Sequence, residues 1–325
     1  MKKYKWAILG TGSIATKFAE ALKESTNAEL YAVGSRDMGK ASWFRETFNG
    51  KYAYGSYEEL CQCPEIDIIY IATPHRFHCE HSLLAIQYGK HVLCEKPLAL
   101  NADESQLMIE AAQAKGVFLM EALWTRFLPG LKTLQQKIHK GAIGDLISIE
   151  ADFSFQGSPD IKRLYDPQLG GGALLDVGIY PLTLGSLLCG EPVEFTSSAK
   201  LNELGVDLSS EYQLTYPKNV KAHFTASTIA QDHCSARIQG SKGEIIIAQP
   251  WWHMKEFTII NDSEETIKCD YDCHDFLFQV EEVHHCLKKS LLESPEVSHA
   301  TSLSMMTLMD SLRKQIGVTY PSDNP

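Results

Sequence analysis

The segment Gly10-Thr11-Gly12-Ser13-Ile14-Ala15 limits the possible folds of this chain more than any other, because it follows the apolar run Trp6–Leu9 directly and opens a stretch with Ile14, Phe18 and Leu22 at helical spacing. In this context the G-x-G-x-x-(G/A) pattern has a physical reading. Gly10 permits the tight turn, Gly12 lets the backbone approach a pyrophosphate, and the small Ala15 lets helix and strand pack closely. The helix N-terminus then offers N–H groups and a partial positive charge to phosphates. A purely structural turn is the alternative.

The following residues repeat the strand–helix alternation. Apolar runs at Lys5–Leu9, Leu30–Val33, Ile66–Ala72, His91–Cys94 and Val117–Met120 are separated by helical patterns, among them Leu83–Ile86 and Asp103–Ala114. Such alternation predicts parallel β-α-β units, and continuous apolar runs like Ile68–Ala72 suit strands covered on both faces. From about Gly144 longer alternating stretches take over: Leu146–Phe155, Glu211–Tyr216, Val220–Ser227, Ala236–Ile238, Glu244–Ile247 and Glu256–Ile260. These predict a largely antiparallel sheet, followed by amphipathic helices at Phe276–Lys288 and Ser302–Ile316. In the second helix Leu303, Met306, Met309 and Leu312 form a stripe read as core packing. The expected architecture is a Rossmann doubly wound parallel sheet over 1–122 and an α+β domain with a large, mostly antiparallel open sheet over 123–325. A chain of 325 residues exceeds the usual limit of a single core.

Composition excludes several functions. Acidic residues outnumber basic ones 41 to 30, which works against nucleic-acid binding. Nine cysteines with no C-x-x-C pair suggest reduced thiols in cytoplasm rather than a disulfide framework or zinc knuckle. His78, Cys79 and His81, and likewise His284, His285 and Cys286, lack a second cluster, so no metal is expected. The N-terminal lysines precede too short an apolar run for a signal peptide, and the longest uncharged stretch, Val177–Gly190, is interrupted by Gly and Pro, so neither export nor membrane insertion is expected.

Cofactor choice is read after the second strand, at Gly34-Ser35-Arg36-Asp37. Ser35 can hydrogen-bond a 2′-phosphate, Arg36 can stack on adenine and pair with that phosphate, and Lys40 adds a second cation. NADP is therefore favoured. Asp37 keeps NAD as the alternative, because a shift of one residue would place a carboxylate on the ribose.

The strand at His91–Cys94 ends in Glu95-Lys96-Pro97, which puts Lys96 at the carboxyl edge of the sheet, where open α/β folds bind ligands. Pro97 either holds Lys96 extended or introduces a cis bond. Further on, Gly170-Gly171-Gly172 leads into a helix bearing Asp176 and Tyr180 four residues apart, hence on one face. Removing hydride from a carbinol carbon leaves a hydroxyl proton that needs a base, and a phenol with a pKa of about 10 is a poor one unless a cation favours phenolate. The expected catalytic set is Tyr180 for proton exchange, Lys96 to lower its pKa and hold the substrate oxygen, and Asp176 to orient the polyol or the lysine. A packed core tyrosine is the alternative for Tyr180.

Taken with Ala72-Thr73-Pro74-His75-x-x-His78 and Glu121-Ala122-Leu123-Trp124-Thr125-Arg126-Phe127, these segments span essentially the whole chain and resemble the glucose-fructose oxidoreductase / inositol dehydrogenase / MocA (Gfo/Idh/MocA) family. The resemblance is greatest to its dihydrodiol and NADP-dependent D-xylose dehydrogenase branch, which has tyrosine where most of the family has histidine at the position of Tyr180. The resemblance implies that Thr73, His75 and His78 line the nicotinamide edge, that Gly10, Gly12, Ser13, Ile14, Glu95 and Lys96 also bind the cofactor, that Trp124 and Arg126 flank cofactor and substrate, and that the open sheet forms a homodimer. It implies an NADP-linked oxidoreductase acting on a hydroxyl of a cyclic sugar, polyol or trans-dihydrodiol. A carbonyl or anhydro-sugar reductase and a catalytically silent NADP-binding sensor are the competing readings. Trp251-Trp252-His253 is read as core or dimer packing rather than as pocket lining or an exposed patch.

Overall fold

A computed structural model describes residues 3–230 and 233–323 of the chain. Along the first part run β1 (Tyr4–Leu9), α1 (Ser13–Glu24), β2 (Ala28–Gly34), α2 (Met38–Thr47), β3 (Tyr52–Tyr54), α3 (Tyr57–Gln62), β4 (Ile68–Ile71), α4 (His78–Gln87), β5 (His91–Glu95), α5 (Ala102–Lys115) and β6 (Leu119–Ala122). There follow α6 (Pro129–His139), β7 (Leu146–Gln156), α7 (Lys162–Tyr165), a π turn (Leu174–Gly178), α8 (Ile179–Cys189), β8 (Glu194–Leu201), β9 (Asp207–Tyr216), β10 (Val220–Ser227), β11 (Ile229–Ala230), β12 (Ala236–Gly240), β13 (Gly243–Ile247), β14 (Glu256–Ile260) and β15 (Glu264–Lys268). Two helices close the chain, α9 (Leu277–Lys288) and α10 (His299–Ile316).

The chain divides into two units, Met1–Phe127 with Asp272–Leu303, and Leu128–Tyr271 with Ser304–Pro325. The segment Asp272–Leu303, which the texture of the sequence groups with the second half, thus lies in the first. Trp6 Nε1 donates to His284 Nε2 of α9 at 3.0 Å, Ser25 Oγ donates to Glu281 at 2.6 Å, and the Leu119 N–H donates to the Leu292 carbonyl at 3.0 Å.

The first unit is built on a six-stranded parallel sheet in the order β3-β2-β1-β4-β5-β6. Trp6–Leu9 and Ile68–Ile71 are fully enclosed, as strands covered by helices on both faces require. The order reverses between β1 and β4, where Leu9 pairs with Ile71, and the crevice beyond those carboxyl ends is the binding position of doubly wound sheets. Helices α2, α3 and α5 begin on Asp37, Ser56 and Asn101, whose side chains accept N–H groups of the first turn. Helix α1 begins on Gly12 without a side-chain cap.

The second unit is built on a nine-stranded sheet in the order β15-β14-β13-β12-β7-β10-β9-β8, with β11 beside β7; only β7 and β10 run parallel. Ile149, Tyr212, Leu214, Phe224, Ile238 and Ile259 alternate inward, and the π turn and α8 lie against β7 and β10. Ser148, Glu150, Gln213 and His223 alternate to the other face, which is open and polar. Among the described residues one segment, Pro167–Cys189, is long and apolar enough to cross a membrane, and 78% of its apolar window is buried inside the protein. Met306, Met309 and Leu312 are buried in α10, in agreement with core packing.

Candidate active site

The turn after β1 separates the roles of its two glycines. Gly10 has φ +107°, and a Cβ there would lie 2.8 Å from the Ala72 carbonyl oxygen, so the close approach of β1 and β4 demands glycine. Gly12 has φ −82°, and a Cβ there would meet nothing within 4 Å. The space over the uncapped start of α1 is therefore open, with Ser13 exposed and Ile14 half-buried beside it and no acidic residue in the first turn. This cradle fits the pyrophosphate of a dinucleotide.

At the end of β2, Ser35 is buried and its Oγ accepts the Asp37 N–H at 3.3 Å. Asp37 is committed locally: its Oδ1 accepts the Gly39 and Lys40 N–H groups at 2.9 and 3.2 Å as the cap of α2. Arg36 and Lys40 are exposed. Burial pushes the Tyr57 phenol above its ordinary pKa, while the charge of Arg36 and a hydrogen bond to it act in the other direction. Burial, and after it the charge of Arg36, push His81 down to about 4.

Beyond β4, Thr73 Oγ1 lies 3.0 Å from His81 Nδ1, and His75 is buried with its ring 5.5 Å from that of His78. His78 is fully enclosed, Nδ1 at 2.8 Å from the Pro97 carbonyl and Nε2 at 2.9 Å from that of Thr73. Burial pushes it down to about 4. The peptide bond before Pro97 is cis, one of the two alternatives the sequence allows. Lys96 follows β5 at 9% exposure, with its N–H donating to Glu95 Oε2 at 3.3 Å, and the other oxygen of Glu95 accepts the Tyr70 hydroxyl. Glu95 and His78 are thus engaged by the protein's own groups. Trp124 is buried with its ring 5.3 Å from Phe276, and Arg126 donates to the Glu296 carbonyl at 2.8 Å.

In the second unit Asp176 and Tyr180 are both buried, Asp176 within the π turn and Tyr180 in the first turn of α8. Single π turns recur at functional sites, and this one replaces the plain α-helix that the spacing suggests. Arg163 Nη1 lies 3.2 Å from Asp176 Oδ1. Phe153 stacks on Trp252 at 3.5 Å and stands 4.9 Å from the Tyr180 ring. Trp252 is half-buried in this aromatic group, whereas Trp251 is buried. Sequence reasoning missed Arg163, Phe153 and Asp207, which no motif marks; Glu121 lies in a motif but its role was not legible. Asp207 is fully enclosed, accepting the Leu174 N–H and Ser210 Oγ, each at 2.7 Å, and burial pushes it up to about 6.

Comparison with known proteins supplies the class. Residues 4–123 match the model of an oxidoreductase family with an NAD-binding Rossmann fold, and residues 131–246 match the Gfo/Idh/MocA C-terminal domain. The chain belongs to the Gfo/Idh/MocA family of oxidoreductases. It is 37% identical over 330 residues to trans-1,2-dihydrobenzene-1,2-diol dehydrogenase of Mus musculus, covering 98% of each chain. The fold is shared with KijD10, a 3-ketoreductase from Actinomadura kijaniata solved with NADP and TDP-benzene (TM-score 0.89, 24% identity, 98% and 99% coverage). It is also shared with aldose-aldose oxidoreductase from Caulobacter crescentus complexed with glycerol (TM-score 0.87, 23% identity, 97% coverage of each).

Proposed function

We propose that this protein is an NADP-dependent dehydrogenase acting on a CH–OH group of a cyclic sugar or trans-dihydrodiol. The observation that carries this reading is the open cradle over Gly12 at the β1/β4 reversal, with Lys96 at the carboxyl end of the next strand, β5. Gly10, Gly12, Ser13 and Ile14 would hold the pyrophosphate, and Ser35, Arg36 and Lys40 a 2′-phosphate. Commitment of Asp37 to capping α2 supports NADP over NAD. Thr73, His75, His78, Glu95, Trp124 and Arg126 are assigned to the cofactor and substrate surroundings, His78 and Glu95 being held there by their hydrogen bonds to Pro97, Thr73 and Tyr70.

Bound there, the dinucleotide supplies the two-electron acceptor for a carbinol carbon, or the donor for a carbonyl. The chain must then move the hydroxyl proton. Tyr180 takes it at the phenolic oxygen as the carbonyl forms and returns it in the reverse direction. Lys96 favours the phenolate and holds the substrate oxygen. Asp176, paired with Arg163, orients the polyol or the lysine. The stacked Phe153 and Trp252 beside Tyr180 suit the apolar face of a ring, which a pyranose and a dihydrodiol share. Further parts of the proposal are a cytoplasmic location and a homodimer through the open face of β7, β10, β9 and β8.

The test is titration of NADPH against NADH by fluorescence, followed by a panel of aldoses, polyols and trans-dihydrodiols added to the NADP-loaded protein. NADP preference and reduction by one of these substrates are expected. Tyr180→Phe and Lys96→Met should each lower kcat by about 10²-fold or more while cofactor affinity is retained. Tight NADPH binding with no turnover, or full activity in both variants, overturns the proposal.

A further inference from the structure

Lys96 and the two residues that follow it are each held at a main-chain group by buried ionisable side chains from three elements. The Lys96 N–H donates to Glu95 Oε2 at 3.3 Å, the Pro97 carbonyl faces His78 Nδ1 at 2.8 Å, and the Leu98 N–H donates to Glu121 Oε1 at 2.9 Å. Glu121 stands at the end of β6, beside Cys94 of β5, and is 2% exposed. Its second oxygen accepts Ser302 Oγ at 2.6 Å, so both are occupied. A neutral imidazole carries one N–H, which His78 must divide between the Pro97 and Thr73 carbonyls. Glu121 has no such conflict.

Enclosing a carboxyl this fully is costly, and burial pushes Glu121 up to about 7. An apolar residue would fill the same space without that cost but could not accept the Leu98 N–H. The lysine side chain is a lever of roughly 6 Å, so a tilt of roughly 10° at its Cα swings the ammonium by about 1 Å, a displacement that costs on the order of 10²-fold in rate.

We propose that Glu121 is a positioning residue for Lys96, acting through its hydrogen bond to the Leu98 N–H. The inference rests on the assignment of Lys96 as the catalytic cation. It concerns reach rather than charge, and two variants separate these. Glu121→Gln keeps an oxygen for Leu98 and offers its amide N–H to Ser302 Oγ, whereas Glu121→Asp keeps the carboxyl but falls one methylene short.

The experiment is competitive acylation of the Lys96 amine in cofactor-free protein as a function of pH, read by mass spectrometry, with kcat, KM and the melting temperature measured alongside. Glu121→Gln should label within about twofold of wild type and keep kcat within about threefold, while Glu121→Asp, folded by its melting curve, should change labelling at least about fivefold and lower kcat about 30-fold with KM little changed. Wild-type labelling in Glu121→Asp, or altered labelling in a folded Glu121→Gln, overturns the proposal. Labelling needs no substrate: a protein inactive on every sugar and diol that still shows this pattern would refute the proposed activity and uphold the role of Glu121.

Discussion

Two glycines two residues apart meet different demands, and substitution separates them. Gly10 sits at φ +107° with the Ala72 carbonyl where a side chain would go, so Gly10→Ala should destabilise the protein by about 1–3 kcal/mol whether or not cofactor is present. Gly12 has an ordinary backbone and open space beyond its Cα. Gly12→Ala should therefore leave stability within about 1 kcal/mol of wild type, the weaker helix cap being offset by a less flexible unfolded chain. The new methyl would occupy the pyrophosphate's approach, and NADPH affinity should fall at least about tenfold, or about 1.4 kcal/mol. Melting curves and fluorescence titration check both statements; a Gly12→Ala protein that binds NADPH normally would remove the cradle from the argument. These roles were legible because the motif states a backbone requirement. The function of Glu121 was not, since a carboxylate at the end of a strand looks the same in sequence whether it faces water or a buried N–H.

Among the elements, legibility followed burial. Strands Val220–Ser227 and Glu256–Ile260 fall where alternation puts them, because each has one face in the core. The sheet's two edges, β8 and β15, were missed: both are largely exposed, and their Ser-rich and Glu-rich sequences lack a buried alternation. The π turn was also illegible, for its cause lies elsewhere in the chain. Asp207 accepts the Leu174 N–H at the start of that turn, and Gly172, at φ +127°, would place a Cβ 2.2 Å from its Oδ1. Asp207 thus holds the element that carries Asp176 and Tyr180. Asp207→Ala should cost roughly 1–3 kcal/mol by stranding buried donors, and should lower kcat. NADPH affinity should stay unchanged, because the cradle belongs to the other unit. Asp207→Asn keeps the acceptor and should retain most activity. Steady-state kinetics and cofactor titration of the two variants decide it, and an active Asp207→Ala enzyme would deny the turn its dependence on this cap.

Over the whole molecule, buried ionisable groups set how stability varies with pH. His78 and His81 are pushed from 6.5 down to about 4, so between those values the unfolded chain binds protons that the folded chain does not, and stability falls as pH falls. Glu121, pushed from 4.5 up to about 7, and Asp207, from 3.8 up to about 6, act oppositely: the folded chain keeps protons that the unfolded chain has released, and stability falls as pH rises. Around pH 5 these two histidines and two carboxyls nearly cancel, and His284, which burial also pushes down, adds to the histidine side. By these four groups wild-type stability should stay almost flat from about pH 4.5 to 7, since the unfolded-chain histidines lose their protons over the same range in which Asp207 and Glu121 ionise. Replacing both carboxyls, as Glu121→Gln with Asp207→Asn, removes one side of the balance while keeping an oxygen for the Leu98 and Leu174 N–H groups. The double variant should then gain roughly 2 kcal/mol per pH unit near pH 5, the slope of two protons less partial titration. Calorimetric melting at pH 5 and pH 6 reads this directly. A double variant as flat as wild type would mean that these carboxyls do not hold protons in the folded protein and that Glu121 sits ionised beneath the lysine turn, whereas the expected slope would identify them as the groups that counter acid destabilisation by the histidines.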